Sequence, residues 1–132
     1  MKVGFTCSAF DMLHAGHVAM LEEAKTQCDH LIVGLHTNPQ IDRPKKNRPV
    51  QSTFERYVQL KACKYVDEII PYDTEGDLLN LLKLVQPDVR IIGLEYKNKD
   101  FTGKSLPIPV YYNKREHGYS STELRQRITS HV

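Results

Sequence analysis

Residues 2–25, KVGFTCSAFDMLHAGHVAMLEEAK, read as strand, turn and helix in that order, and this reading decides the fold. The run Lys2–Phe10 is short and rich in β-branched and aromatic residues, as a strand requires. Beyond it the apolar residues Val18, Met20, Leu21, Ala24 and Cys28 recur three and four positions apart, which is the period of a helix with one buried face. The turn between them, SAFDMLHAGH (residues 8–17), holds two histidines three residues apart.

The same step repeats along the chain. HLIVGLHT (30–37) is nearly continuous in apolar residues, as expected of a parallel strand covered on both faces, and it stops at Asn38-Pro39. The loop NPQIDRPKKNRPVQS (38–52) is polar, and carries three prolines with Arg43, Lys45, Lys46 and Arg48; a helix is predicted from about Thr53 to Cys63. YVDEIIPY (65–72) and DVRIIGLEY (88–96) are further strand candidates. They are separated by the leucine-rich helix GDLLNLLKLV (76–85), which stops short of Pro87. IPVYYN (108–113) supplies a fifth strand and SSTELRQRI (120–128) a last helix. Strands alternating with helices predict a Rossmann-like, doubly wound α/β fold with a five-stranded parallel sheet, in one domain over 1–132. Ligands of such sheets bind beyond the carboxyl ends of the strands.

Composition narrows the function. With 132 residues, 40% hydrophobic and 26% charged, the chain suits one core. Its 18 basic and 16 acidic residues leave a formal charge of +2, too balanced for a duplex-binding surface, so no nucleic-acid partner is expected. Cys7, Cys28 and Cys63 are odd in number and form no C-x-x-C pair, arguing against a disulfide framework or a cysteine zinc site. No cleavable-signal pattern and no apolar run near the roughly 18 residues of a membrane span is present, so a cytoplasmic protein is expected.

If the first helix begins near Ala15, His14 and His17 stand one turn apart at its N-terminal edge, facing the sheet's carboxyl end. Unpaired backbone N–H groups and the positive end of the helix dipole make that edge attractive to anions, and Gly16 removes a side chain where a phosphate would approach. A structural histidine pair, a zinc site completed by Asp11 and a phosphate site all fit the spacing. Near the C-terminus, Arg115 and Gly118 precede Ser120, Ser121 and Thr122 at a second helix start, where three hydroxyls can either bind an anion or cap the helix; Ser120 and Glu123 match the capping-box pattern. Lys45 and Lys46, on a loop leaving the same sheet end, read either as a solvated face or as a basic flap over a polyphosphate.

FDMLHAGH with REHGYSST resembles the nucleotidyltransferase superfamily of the histidine-x-glycine-histidine motif, and within it the cytidylyltransferases of the glycerol-3-phosphate type. The likeness runs nearly end to end, through LEEAK, the loop lysines, ERYVQL and KYVDEIIP. It implies transfer of CMP from CTP to a phosphomonoester with release of pyrophosphate, Mg²⁺ accompanying the triphosphate and no protein metal site. It assigns catalytic roles to His14, His17, Lys46 and Arg115. Nucleotide contacts fall to Ala9, Phe10, Asp11, Gly16, Lys45, Arg56, Glu116, His117, Gly118, Tyr119, Ser120, Ser121 and Thr122, with Asp11 holding the turn's shape. Glu95, Tyr96 and Lys97 fall where the family meets its acceptor. The family's KYVDE-like segment (64–68) implies a homodimer.

Two departures bear on substrate. Ser8-Ala9 replaces the family's Gly-Thr, and YDTEGDLL (72–79) lacks the lysine of the glycerol-3-phosphate enzymes. Asp73, Glu75, Asp77 and Glu95 suit either a cationic acceptor such as phosphoethanolamine or phosphocholine, or simply the dipole of a helix start. Adenylyltransferases acting on heptose phosphate, phosphopantetheine or FMN share the histidine motif and are the alternative; the arginine-bearing final motif favours CTP.

Overall fold

The computed structural model describes residues 1–114 and 119–131. Five strands and four helices alternate: β1 (Val3–Ser8), α1 (Ala15–Lys25), β2 (His30–His36), α2 (Thr53–Lys61), β3 (Glu68–Tyr72), α3 (Glu75–Val85), β4 (Val89–Gly93), β5 (Val110–Asn113) and α4 (Ser121–Ser130). The strands form one sheet in the order β3-β2-β1-β4-β5, and every pair is parallel. The order reverses between β1 and β4, which places the crevice of the fold beside the turn that carries the histidines.

Alternation along the strands sorts side chains between two cores. Leu31, Val33 and Leu35 of β2, with Val89 and Ile91 of β4, meet Leu21 and Ala24 of α1 and Leu60 of α2 on one face. Phe5 of β1 and Ile32 of β2 meet Leu78 and Leu82 of α3 on the other. β2 is buried from Leu31 to His36, which is why its sequence is an unbroken apolar run with no alternation to read. Local chemistry sets the helix ends. Ser52 and Glu55 form a reciprocal capping box at the start of α2, as Thr74 and Asp77 do for α3. α3 stops at Gln86, whose left-handed φ of 48° precedes Pro87.

Several element ends differ from the sequence reading, β1 stopping at Ser8 rather than Phe10 and α2 at Lys61 rather than Cys63. β3 begins at Glu68 rather than Tyr65, because the Val66 N–H closes a turn on the Cys63 carbonyl and the Asp67 carboxylate accepts the Leu31 N–H at 2.8 Å. β4 ends at Gly93, and Leu94–Tyr96 form a short 3-10 turn. β5 begins at Val110, since Pro109 has no N–H for the ladder, although its carbonyl still accepts from Arg90. Among the described residues no helix is long and apolar enough to cross a membrane.

Candidate active site

The two histidines cap α1 reciprocally. His14 is the N-cap residue, and its Nδ1 accepts the Gly16 N–H at 3.0 Å, while His17 Nδ1 accepts the His14 N–H at 3.3 Å. The H-x-x-H spacing thus does for imidazoles what S-x-x-E does in a capping box. A neutral ring accepting at Nδ1 carries its proton on Nε2, so the cap makes each Nε2 a donor. The rings stack with centroids 3.9 Å apart, and His14 Nε2 lies 3.0 Å from the Ser121 hydroxyl at the start of α4. Desolvation, with His14 adding to it and Asp11 opposing, lowers the His17 pKa to about 4, so this ring is neutral at pH 7.

The space that Gly16 leaves is filled from within the protein. A Cβ there would stand 2.8 Å from the His14 ring and 3.0 Å from Tyr119, so the glycine makes room for the imidazole, rather than for the phosphate expected from sequence. The turn that delivers His14 has two residues in the left-handed region, Phe10 (φ 49°) and Met12 (φ 51°), a conformation costing about 1–2 kcal/mol each for such side chains. Phe10 is buried, with its ring edge-on to His17 at 5.5 Å, and the Met12 N–H bonds the Gln51 side chain at 2.8 Å.

Asp11 holds this turn to two other elements. Its carboxylate accepts the N–H groups of Val50 (2.8 Å) and Gln51 (3.0 Å) and pairs with Arg125 of α4 at 3.1 Å. It is therefore a clamp on the end of the basic loop, not a third zinc ligand beside the histidines. Among the described residues no group of three or more histidines, cysteines and carboxylates is placed to hold a metal.

Arg56 departs from its expected nucleotide contact. It is 2% exposed, and its guanidinium donates to the carbonyls of Ala9, His36, Thr37 and Gln51 and to the Thr53 hydroxyl. All five of its N–H groups are thereby used. It ties α2 to the carboxyl ends of β1 and β2, and supports the Ala9 backbone from below.

A cavity of about 350 Å³ opens over this edge of the sheet. Its lining includes Ala9, Phe10, His17, Lys46, Ser121 and Arg125, and also Cys7, Tyr72, Glu75, Arg90, Tyr96 and Thr102. Of the loop cations, Lys46 and Arg43 line it, while Lys45 is exposed outside it. The three C-terminal hydroxyls separate: Ser120 accepts the Glu123 N–H as the α4 cap, Ser121 faces His14, and Thr122 is exposed. Tyr119 and Glu95 line a second cavity of about 290 Å³ on the other side of His14, together with Asn113, whose buried Oδ1 has no hydrogen-bond partner among the described residues. Tyr96 reaches the larger cavity and Lys97 is exposed. Arg115, Glu116, His117 and Gly118 lie outside the described residues.

Sequence reasoning missed Arg125, Gln51 and Arg90. Arg125 had a legible signal: it follows Ser121 by four residues and so shares its helix face. Gln51 had none, because its partner is 39 residues away.

Two stacked imidazoles at the first βα turn of a parallel sheet, facing a second helix start and a basic loop, form a site suited to an anion. The chain belongs to the cytidylyltransferase-like family, whose model matches residues 5–127. It is 37% identical over 128 residues to the bifunctional protein HldE of Campylobacter jejuni (strain RM1221), and 37% identical over 135 residues to that of Caulobacter vibrioides. These alignments cover 96% and 98% of the chain but 28% of each relative, so the chain spans little more than a quarter of their length. Among solved structures, a lipopolysaccharide core biosynthesis protein from Thermoplasma volcanium superposes with a TM-score of 0.63 at 23% identity, covering 98% of this chain and 88% of that one. Pantothenate synthetase from Thermus thermophilus does so with a TM-score of 0.60 at 17% identity, covering 96% and 64%. Both likenesses are of fold.

Proposed function

We propose that the chain transfers AMP from ATP to a sugar phosphate and releases pyrophosphate. An oxygen of the acceptor's phosphate forms the new bond to the α-phosphorus, and the α–β bridging bond breaks with its electron pair leaving on pyrophosphate. The reciprocal histidine cap carries this reading, because it makes Nε2 the donor of both rings, with His17 lining the larger cavity and His14 set against Ser121 at its edge. The neutral His17 ring donates from Nε2 without itself carrying charge. Ser121, Lys46 and the first-turn N–H groups of α1 and α4 add to the same anion site. Phosphoryl transfer needs in-line positioning and charge stabilisation more than covalent help, which is what rigid caps supply. The second cavity beside His14 would take the nucleoside.

Mg²⁺ would be held by the triphosphate itself, since the Asp11 and Glu75 carboxylates near the cavity already accept protein donors. Bound there, the ion would neutralise charge on the leaving pyrophosphate. A cytoplasmic location suits a triphosphate donor.

ATP replaces the CTP favoured by the final motif because the HldE relatives belong to ADP-heptose synthesis. CTP remains the second reading, on the strength of REHGYSST. The deciding experiment incubates the protein with ATP or CTP, Mg²⁺ and a panel of phosphomonoesters that includes heptose 1-phosphate, glycerol 3-phosphate and phosphoethanolamine, and follows pyrophosphate. Release with ATP and a sugar phosphate is expected. Release only with CTP moves the donor, and none with any pair removes the enzymatic reading.

A further inference from the structure

The cavity has one wall for which the triphosphate has no use. Arg90 stands on β4 opposite Phe5 of β1, and so points to the α3 face of the sheet with Phe5 and Cys7. α1, which carries the histidines, covers the opposite face. Arg90 is 4% exposed, and it lines the cavity. An arginine there is unexpected, since Val89 and Ile91 on either side of it are core residues.

Its partners are few. One guanidinium N–H donates to the Thr102 carbonyl, the Phe101 ring lies 4.9 Å from the guanidinium carbon, and the Cys7 sulfur is met only at 4.0 Å. None of the ion pairs among the described residues includes it. The carboxylate nearest in role, Glu75, is already held: Arg43 pairs with it at 3.3 Å and the Thr102 hydroxyl donates to it at 3.0 Å. Glu75 and Arg43 thus offset one another, and Arg90 remains a buried cation with spare donors open to the cavity. Burying a charge without a partner is costly, and a planar guanidinium fork matches a carboxylate with two parallel hydrogen bonds.

We propose that Arg90 receives a carboxylate on the acceptor, so that the enzyme selects phosphomonoesters that bear an acid group besides the phosphate. The inference rests on the transfer reaction proposed above. The attacking phosphate must meet the α-phosphate at the histidines, above one face of the sheet. Arg90, under the other face, is placed for a group at the acceptor's far end. Phe101 and Thr102 form the side of that subsite, and Arg90 acts there as a specificity residue.

Two pairs of acceptors that differ mainly in a carboxylate test this: glucuronic acid 1-phosphate against glucose 1-phosphate, and 3-phosphoglycerate against glycerol 3-phosphate. Wild type, Arg90→Met and Arg90→Lys are assayed for pyrophosphate release with ATP and with CTP, and each ester is titrated calorimetrically without nucleotide. The acid member should be preferred about tenfold or more in kcat/KM by wild type, as one charged hydrogen-bond pair can give. Arg90→Met should erase the preference while leaving the KM for the nucleotide unchanged, and Arg90→Lys should restore part of it. A purely structural role would lower both members of a pair equally and leave their ratio intact. Equal or reversed preference in wild type, or preference surviving in Arg90→Met, overturns the proposal. If no ester yields pyrophosphate, the reaction reading fails and the titrations decide alone. Acid esters binding wild type about tenfold tighter than Arg90→Met support the subsite, and equal binding overturns it.

Discussion

His14 and His17 commit Nδ1 to the backbone of α1, and the chemistry of the site follows from that commitment. An imidazole that caps a helix cannot rotate without uncapping it, so its outer nitrogen is held in one direction. The depressed pKa of His17 gives this a measurable consequence. The folded ring titrates at about 4 against an ordinary 6.5, so between those values the unfolded chain takes up a proton that the folded one refuses. Folding stability is therefore highest above pH 6.5, falls as the pH drops toward 4, and levels off below; one proton can steepen the slope by at most about 1.4 kcal/mol per pH unit. Proton NMR of the His17 ring should show a midpoint near 4, and denaturant unfolding at pH 7 and pH 5 should differ less in His17→Gln than in wild type. A midpoint near 6.5 would mean that the ring is not desolvated as the structure has it.

Among the elements, α4 is the one seated by polar contacts. It buries no residue fully, and its described attachments to the site are the Ser121 hydroxyl on His14 and Arg125 on Asp11. Hydrogen bonds to a charged partner are worth about 1.5–3 kcal/mol, enough to govern local opening of a helix with little apolar burial. Arg125→Ala should therefore speed amide exchange in α4 and weaken triphosphate binding about tenfold, yet barely move the thermal midpoint of the sheet. Unchanged exchange in α4 would show that something else seats it. The same contrast explains what was legible in the sequence. The alternation of strands and helices follows from apolar periodicity, a local property, and it placed all nine elements with shifts only at their ends. The strand order, and the pairing of Asp11 with residues 50, 51 and 125, depend on contacts distant in sequence that no local pattern records. Arg56 shows the limit from the other side. A motif placed it near the phosphates, but only its five acceptors reveal that it holds the backbone beneath them.

At the scale of the whole molecule, the question is what covers α2. Phe54 and Val58, one helical turn apart, are 75% and 50% exposed, and Val50 before them is 68% exposed. The neighbouring segment 64–68, from which a homodimer was expected, is used largely inside the protomer: Asp67 pairs with Lys25 and accepts the Leu31 N–H, and the Tyr65 hydroxyl bonds Glu22. Those bonds fix the shape of the segment, while Phe54 and Val58 on α2 stay exposed. We propose that a second copy of the chain covers this face, with α2 contributing the apolar centre and segment 64–68 a polar margin, the usual anatomy of a stable interface. Light scattering at micromolar concentration should give twice the chain mass, and Phe54→Asp should halve it while the far-ultraviolet circular dichroism stays the same. A wild-type monomer across that range would remove the dimer. A dimer indifferent to Phe54→Asp would place its interface on another face.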